Sequence, residues 1–471
     1  MKFLISLGIC LSSVAVKADQ PLAVWIQLQT KISTDRMMQN ISSAGTVPGT
    51  VIASPSKNSP NYYFHWIRDA SLTIDQVVTL FKNSKTVNER QLYLQKIREF
   101  IQLSAQQQRV PGVEGLGEPR YLVDGTPDTI PWSRPQSDGT ALRALTLMRA
   151  LKVLDKELEK EFEKVLNSDA ALRDEAKQVI HRDLEYVILH WNLPCYDLWE
   201  ELMGLHFYTQ FVQAAALRAG SEFFNGSEDV HFSNELAKSA LSINQELAKY
   251  WNSEKKIIGA SRELKQLPNS NYKASNLDTA VILAALHSHS LSFLGFSRDQ
   301  FLSTALALEN VFNETYAVNF LTFAPAIGRF SDDVYFGGNP WYMTTAAFAE
   351  FYFRVALEIK NAKEIQVNEL NLSFLQNSLS QHKGLEPELL LNSGELISIQ
   401  SAKGQRLLAS LQHRGDTFLE TLRKYTGSGG EMSEQFDRQA GVPISAPDLT
   451  WSYAGFLSAI EARTLFLTSG K

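Results

Sequence analysis

The 471-residue chain holds only two cysteines, Cys10 and Cys195. Basic residues are also in deficit, 45 against 51 acidic ones, for a net charge of −6. Beyond residue 18 no apolar run approaches the roughly 20 residues that a bilayer-crossing helix needs. Low-complexity tracts and short-period repeats are absent, and strict two-residue alternation is rare. Serine-hydrolase elbows, nucleotide-binding glycine loops and His-Glu-x-x-His are missing. These absences argue against a disulfide scaffold, a membrane span, a solenoid and a binder of nucleic acid or another polyanion. An apolar fraction of 44% and an aromatic fraction of 10% support a large packed core.

The N-terminus reads as a secretory signal over residues 1–18. Lys2 supplies the positive start, residues 3–16 the apolar core, and Val16-Lys17-Ala18 the peptidase site, with cleavage before Asp19. Removal takes away two lysines and no acids, so the net charge moves to −8. It leaves Cys195 alone, and stability must then come from packing. Cys195 reads as a small buried packing residue rather than a nucleophile. The expected localisation is secreted or periplasmic, without membrane attachment after processing.

Helical periodicity dominates. It predicts helices over residues 89–108, 141–154, 183–191, 277–291, 342–359 and 452–466, with Tyr93, Ile97, Phe100 and Ile101 on one face of the first. Glycine-, proline- and acid-rich loops separate them at 111–135, 193–197, 331–340, 427–430 and 441–447. Residues 364–422 carry the weakest pattern. This many helices exceeds a four-helix bundle, whereas a closed ring of helical hairpins buries them and gathers their loops at one end. No linker interrupts 19–471, which reads as one domain.

Five loop segments carry chemistry. Residues 62–69, Tyr-Tyr-Phe-His-Trp-Ile-Arg-Asp, set Arg68 and Asp69 as hydroxyl donors and acceptor beside aromatic rings. Residues 115–139 hold a glycine- and proline-rich loop with Asp124, Trp132 and Arg134. Residues 196–201, Tyr-Asp-Leu-Trp-Glu-Glu, crowd Asp197, Glu200 and Glu201 against aromatics. Like charges and apolar neighbours both disfavour ionisation, so one of the three carboxyls is expected to stay protonated near neutral pH, as a general acid needs. Residues 328–341 contribute Arg329, Asp332, Asp333 and Trp341, with Pro340 suited to a helix's first turn. Residues 431–453 contribute Glu434 and Trp451 behind a glycine turn that can approach a ligand. Taken singly, each segment also reads as a helix start, an ion pair, an aromatic plug or a surface turn. Together they supply two carboxylates in aromatic settings, the equipment for cutting a glycosidic bond.

In order and spacing these segments resemble glycoside hydrolase family 15, the glucoamylase family, from about Tyr62 to Ala459. The match is carried by Trp66-x-Arg68-Asp69, Gly115-Leu116-Gly117-Glu118-Pro119, Arg134-Pro135-Gln136-x-Asp138-Gly139, residues 196–201, Gly338-Asn339-Pro340-Trp341, residues 433–437 and Asp448-Leu449-Thr450-Trp451-Ser452-Tyr453-Ala454. It is weaker over 220–320. The resemblance implies an all-α (α/α)6 barrel and an inverting, exo-acting site. Glu200 matches the general acid and Glu434 the base. Arg68, Asp69 and Arg329 match residues that grip the terminal glucose, and Glu201 one that holds the next sugar. Tyr62, Trp66, Trp132, Trp199, Trp341 and Trp451 match the aromatic walls. Departures fall at Asp128, where members often carry tyrosine, at 329–333 and at 204–206. They place chain-length and linkage preference at Asp128, His206 and Asp332. Fungal disulfides cannot form, and no separate starch-binding domain follows.

The resulting expectation is a monomer acting on α-glucans or maltooligosaccharides, with no cofactor, no metal and no nucleic-acid partner. Sibling activities on isomaltose, dextran or trehalose, a phosphorylase and a non-catalytic glucan-binding protein are the rivals. Both acids being present weighs against the last two.

Overall fold

The computed structural model describes residues 21–469 except 111, 162–169, 226–228, 266–272, 289–298 and 381–388. Residues 1–18, read above as a signal and including Cys10, lie outside them. Thirteen α-helices occur among the described residues: α1 Leu22–Gln39, α2 Ile67–Asn83, α3 Val87–Arg109, α4 Asp138–Glu161, α5 Ala170–His190, α6 Phe207–Phe224, α7 Val230–Leu247, α8 Ala280–His287, α9 Asp299–Thr315, α10 Tyr342–Ala362, α11 Leu372–Ser380, α12 Ala402–Tyr425 and α13 Thr450–Thr468.

Packing sorts twelve of them into two rings. Helices α2, α4, α6, α8, α10 and α13 each touch the next, and α13 returns to α2, so the inner ring closes. Each inner helix carries an outer partner: α3, α5, α7, α9, α12 and, for α13, α1. This is an (α/α)6 barrel. The residue pattern explains the sorting. Outer α3 keeps Tyr93, Ile97, Phe100 and Ile101 on its buried side and is charged elsewhere, as a helix with one solvated face must be. Inner α10 is buried almost throughout, from Tyr342 to Ile359.

The predicted helices at 89–108, 141–154, 342–359 and 452–466 lie inside α3, α4, α10 and α13. That at 183–191 is the C-terminal half of the longer α5, and that at 277–291 shortens to α8, with 289–291 outside the described residues. The weakly patterned stretch 364–422 contains α11 and most of α12. Among the described residues the strands are two to four residues long and antiparallel, forming one three-stranded sheet and four pairs in the loops. One joins His65–Trp66 to Arg120–Tyr121, with Trp66 opposite Arg120. No described helix is long and apolar enough to cross a membrane.

Candidate active site

The loops that matter run into the N-termini of inner helices. Trp66 is the N-cap of α2, Trp341 of α10 and Leu449 of α13, while Arg68, Asp69 and Trp451 occupy first turns. A closed ring points these N-termini to one end, where the loops enclose a cavity of about 800 Å³. Its deep wall includes Arg68, Asp69, Glu434, Leu449 and Trp451, all buried. Asn61, Ile130, Pro131 and Trp132 form an exposed mouth. All twelve sequence-proposed residues line this one cavity: Tyr62, Trp66, Arg68, Asp69, Trp132, Trp199, Glu200, Glu201, Arg329, Trp341, Glu434 and Trp451.

Glu200 is surrounded by donors. Its Oε1 accepts from Trp66 Nε1 at 2.7 Å and Gln136 Nε2 at 2.8 Å, and its Oε2 from Trp132 Nε1 at 2.8 Å. Arg68 Nη2 stands 3.7 Å from Oε1. The backbone at Glu200 is left-handed, with φ 66°, a conformation costly for a residue with a Cβ. Asp197 enforces it. Glu200 N donates to Asp197 O at 2.9 Å, and Asp197 Oδ1 accepts from the backbone of Glu201 and Leu202 at 2.7 and 2.9 Å. Ser133 Oγ adds a bond to the Glu200 carbonyl at 2.6 Å. The short turn thereby aims the side chain into the cavity.

Glu434 is 1% exposed. Its Oε2 accepts from Gln435 Nε2 at 3.0 Å and from Ser445 Oγ. Burial pushes its carboxyl above the ordinary range, opposed by the hydrogen bonds from Ser445, Tyr62 and Gln435 and by Arg329. The Tyr62 and Tyr335 hydroxyls meet beside it at 2.6 Å.

Two guanidinium clusters complete the polar set. Arg68 donates to Gln136 Oε1 at 3.0 Å and Asp138 Oδ2 at 3.2 Å and stands 3.4 Å from Asp69. Burial works against the Arg68 charge, and Asp138, Asp69 and Glu200 more than restore it. Burial raises Asp69 to about 6 despite Arg68. Arg329 grips Asp333 with two bonds, at 2.8 and 2.6 Å, and reaches Glu201 Oε1 at 2.7 Å. Burial raises Glu201 while Arg329 opposes it. Glu201 Oε2 and Trp341 Nε1 are buried with no hydrogen-bond partner among the described residues, as expected of groups that await a ligand.

Other expectations are corrected. Asp197 is no raised-pKa acid. Burial favours its neutral form, but Lys273 Nζ at 3.0 Å, His206 and two backbone N–H groups overcome this and hold it at about 2. The turn 427–430 docks on α1, where Gln29 Nε2 donates to Gly430 O at 2.9 Å, and lines no part of the cavity. Pro340 precedes the N-cap of α10 instead of starting its first turn. None of Asp128, His206 and Asp332 lines the cavity. His206 is buried on Ser261 and the Cys195 carbonyl, Asp332 faces solvent, and Asp128 is buried against Arg120. Asp124 closes its own turn by accepting from Thr126. Cys195 is buried, with its thiol pushed up to about 12, as a packing residue should be.

Sequence reasoning missed several contributors. Gln136, Asp138 and Tyr335 sit inside quoted motifs, so position within them was the available signal. Arg120, Lys273, Asp278 and Ser445 carried no local signal. Lys273 bridges Asp197 and Asp278 at 3.0 and 2.9 Å, and Asp278 in turn accepts from Trp199 Nε1 at 2.9 Å.

A ring of six helical hairpins whose loops set two buried carboxyl-bearing segments in one aromatic cavity defines a class, the all-helical hydrolases of sugars. The sequence profile of "Glycosyl hydrolases family 15" matches residues 31–461. The chain belongs to that family. It is 35% identical over 463 residues to a glucoamylase of Blastobotrys adeninivorans, covering 92% of this chain and 70% of the relative. Against a glucoamylase of Saccharomycopsis fibuligera it is 30% identical over 476 residues, covering 94% and 90%. The atomic-resolution glucoamylase structure from that yeast superposes with a TM-score of 0.86 at 28% identity, over 95% of this chain and 96% of the other.

Proposed function

We propose that Glu200 and Glu434 are the general acid and general base of an exo-acting glucan 1,4-α-glucosidase that releases β-glucose from non-reducing ends. The enzyme hydrolyses α-glucans, and inversion is a general property of its family. Glu200 protonates the leaving glycosidic oxygen. Glu434 takes a proton from a water that attacks the anomeric carbon from the other face of the ring. Arg68, Asp69 and Arg329 bind hydroxyls of the terminal glucose, and Glu201 holds the next sugar. Tyr62 and the five tryptophans Trp66, Trp132, Trp199, Trp341 and Trp451 present apolar ring faces. A deep wall with an open mouth admits only a chain end, which accounts for exo action.

The observation that carries the reading is the sharing of one cavity by two carboxylates with different settings. Glu200 is partly open and ringed by N–H donors, whereas Glu434 is buried with Oε2 held by Gln435 and Ser445. The chain acts as one catalytic domain over 19–471, as a monomer, outside the cytoplasm. Polarimetry during maltose hydrolysis is the direct test. Initial formation of β-glucose is expected, and α-glucose as first product would end the base assignment. Glu434→Ala should lose activity and regain part of it with azide, a nucleophile that needs no base.

A further inference from the structure

Arg120 was assigned no role from the sequence, and Asp128 departs from the family pattern. The structure joins them. Arg120 Nε donates to Asp128 Oδ2 at 2.7 Å, and both residues are buried. Asp128 is itself fixed, because its Oδ1 accepts from Ile130 N at 3.0 Å. The guanidinium carbon lies 3.5 Å from the Trp132 ring centre, 4.2 Å from Phe64 and 5.1 Å from Trp66. Arg120 lines the cavity. Among the described residues no group accepts a hydrogen bond from its Nη1 or Nη2. A clamped, ring-stacked guanidinium with unused donors at a cavity wall is built to bind something. Planar paired N–H groups suit vicinal sugar hydroxyls.

Its place in the cavity says which sugar. The terminal glucose fills the deep end at Arg68, Asp69 and Trp451, so the rest of the chain leaves past the exposed Ile130, Pro131 and Trp132. Arg120 stacks on Trp132, on that outgoing side. Resting on the reading of Glu200 as the acid, we propose that Arg120, oriented by Asp128, is a substrate-binding residue for the sugars beyond the cleaved bond and sets the preference for oligosaccharides.

The test compares maltotriose with methyl α-glucoside. Both need a protonated leaving oxygen, but only maltotriose places sugars beyond the bond. Arg120→Met should lower kcat/KM on maltotriose about tenfold to a hundredfold, the range for losing hydrogen bonds from a charged group, mainly through KM. Methyl α-glucoside hydrolysis should fall by far less, so that the preference for maltotriose over methyl α-glucoside drops. Arg120→Lys should recover part of the loss, and Asp128→Asn should show the same pattern more weakly. Equal loss on both substrates would assign Arg120 to holding Trp132 and Glu200 in place, and wild-type kinetics on maltotriose would assign it to packing. Either result overturns the proposal. Should Arg120→Met fail to fold, Asp128→Asn and Arg120→Gln decide by the same comparison. Failure of the underlying glucosidase reading would show separately, as absence of glucose release by the unaltered enzyme.

Discussion

Glu200 and Glu434 differ in what replacing each should do. Glu200→Gln keeps the shape but not the proton, and general-acid assistance is worth about 10² to 10⁴ in rate. Its kcat on maltose should fall by that factor with KM little altered, and retention of near-full activity would remove it from the mechanism. Asp69 is a second test at this scale, through pH. Its folded value of about 6 exceeds the ordinary 3.8, so folding takes up a proton between those values. The stability it contributes is complete below pH 3.8 and is lost as pH rises through 6. Relative to Asp69→Asn, the wild type should lose stability across that window in urea unfolding at pH 4, 6 and 7. The same variant should be a poorer enzyme in both kcat and KM, because hydroxyl contacts away from the bond contribute to transition-state binding. Asp197 has the opposite sign. Held at about 2, it contributes stability that is present above 3.8 and lost as pH falls through 2. Asp197→Asn should cost about 2 kcal/mol at pH 7, with the gap closing towards pH 2.

The acid-bearing turn and the segment before α10 are elements that hold costly geometry for the sake of the site. Glu200 tolerates a left-handed backbone because Asp197 restrains the turn from within, and Ser133 and Lys273 from two other parts of the chain. The segment before α10 has a comparable constraint. Gly338 has φ 66°, and a Cβ there would lie 1.8 Å from the Asp333 carbonyl oxygen. Gly338→Ala must therefore displace Asp333, the main partner of Arg329. The expected outcome is a lower melting temperature together with a raised KM, and an unchanged KM would show that Arg329 keeps its position without that backbone. At this scale the sequence was informative for helices and poor for loops. Helix α3 announces itself through the apolar spacing of Tyr93, Ile97, Phe100 and Ile101 and the Thr86/Glu89 capping box. Helix α12 was obscured because its stretch was read together with the irregular segment before it. Helix α6 was missed for another reason, as nearly every residue in its first three turns is buried and periodicity vanishes.

Ring closure depends on residues at opposite ends of the chain. Arg36 of α1 binds Asp448 at 2.6 Å and Glu431 at 3.3 Å, and Asn40 donates to Thr450 Oγ1 at 2.8 Å. The N-terminal helix thus braces the segment that carries Glu434. Arg36→Met should reduce both the melting temperature and kcat, and a loss of stability alone would mean that the brace does not reach the site. With both rings packed into one core, calorimetry should show a single cooperative transition; two separable transitions would contradict the one-domain reading.

The sequence alone determined the helical class, and the resemblance of its short motifs to the family pointed to the six-hairpin ring and to the loop residues that share the cavity. Those features are local, because apolar spacing, caps and short motifs are written in neighbouring residues. Only the tertiary structure showed that Asp197, crowded beside Glu200 and Glu201, is a buried strut held by Lys273. It alone brought Arg120 to Asp128 and Trp132, Lys273 to Asp197, and α1 to the segment bearing Glu434. A loop side chain takes its orientation and charge from partners eight to several hundred residues away, and no local pattern encodes a contact made only when the ring closes.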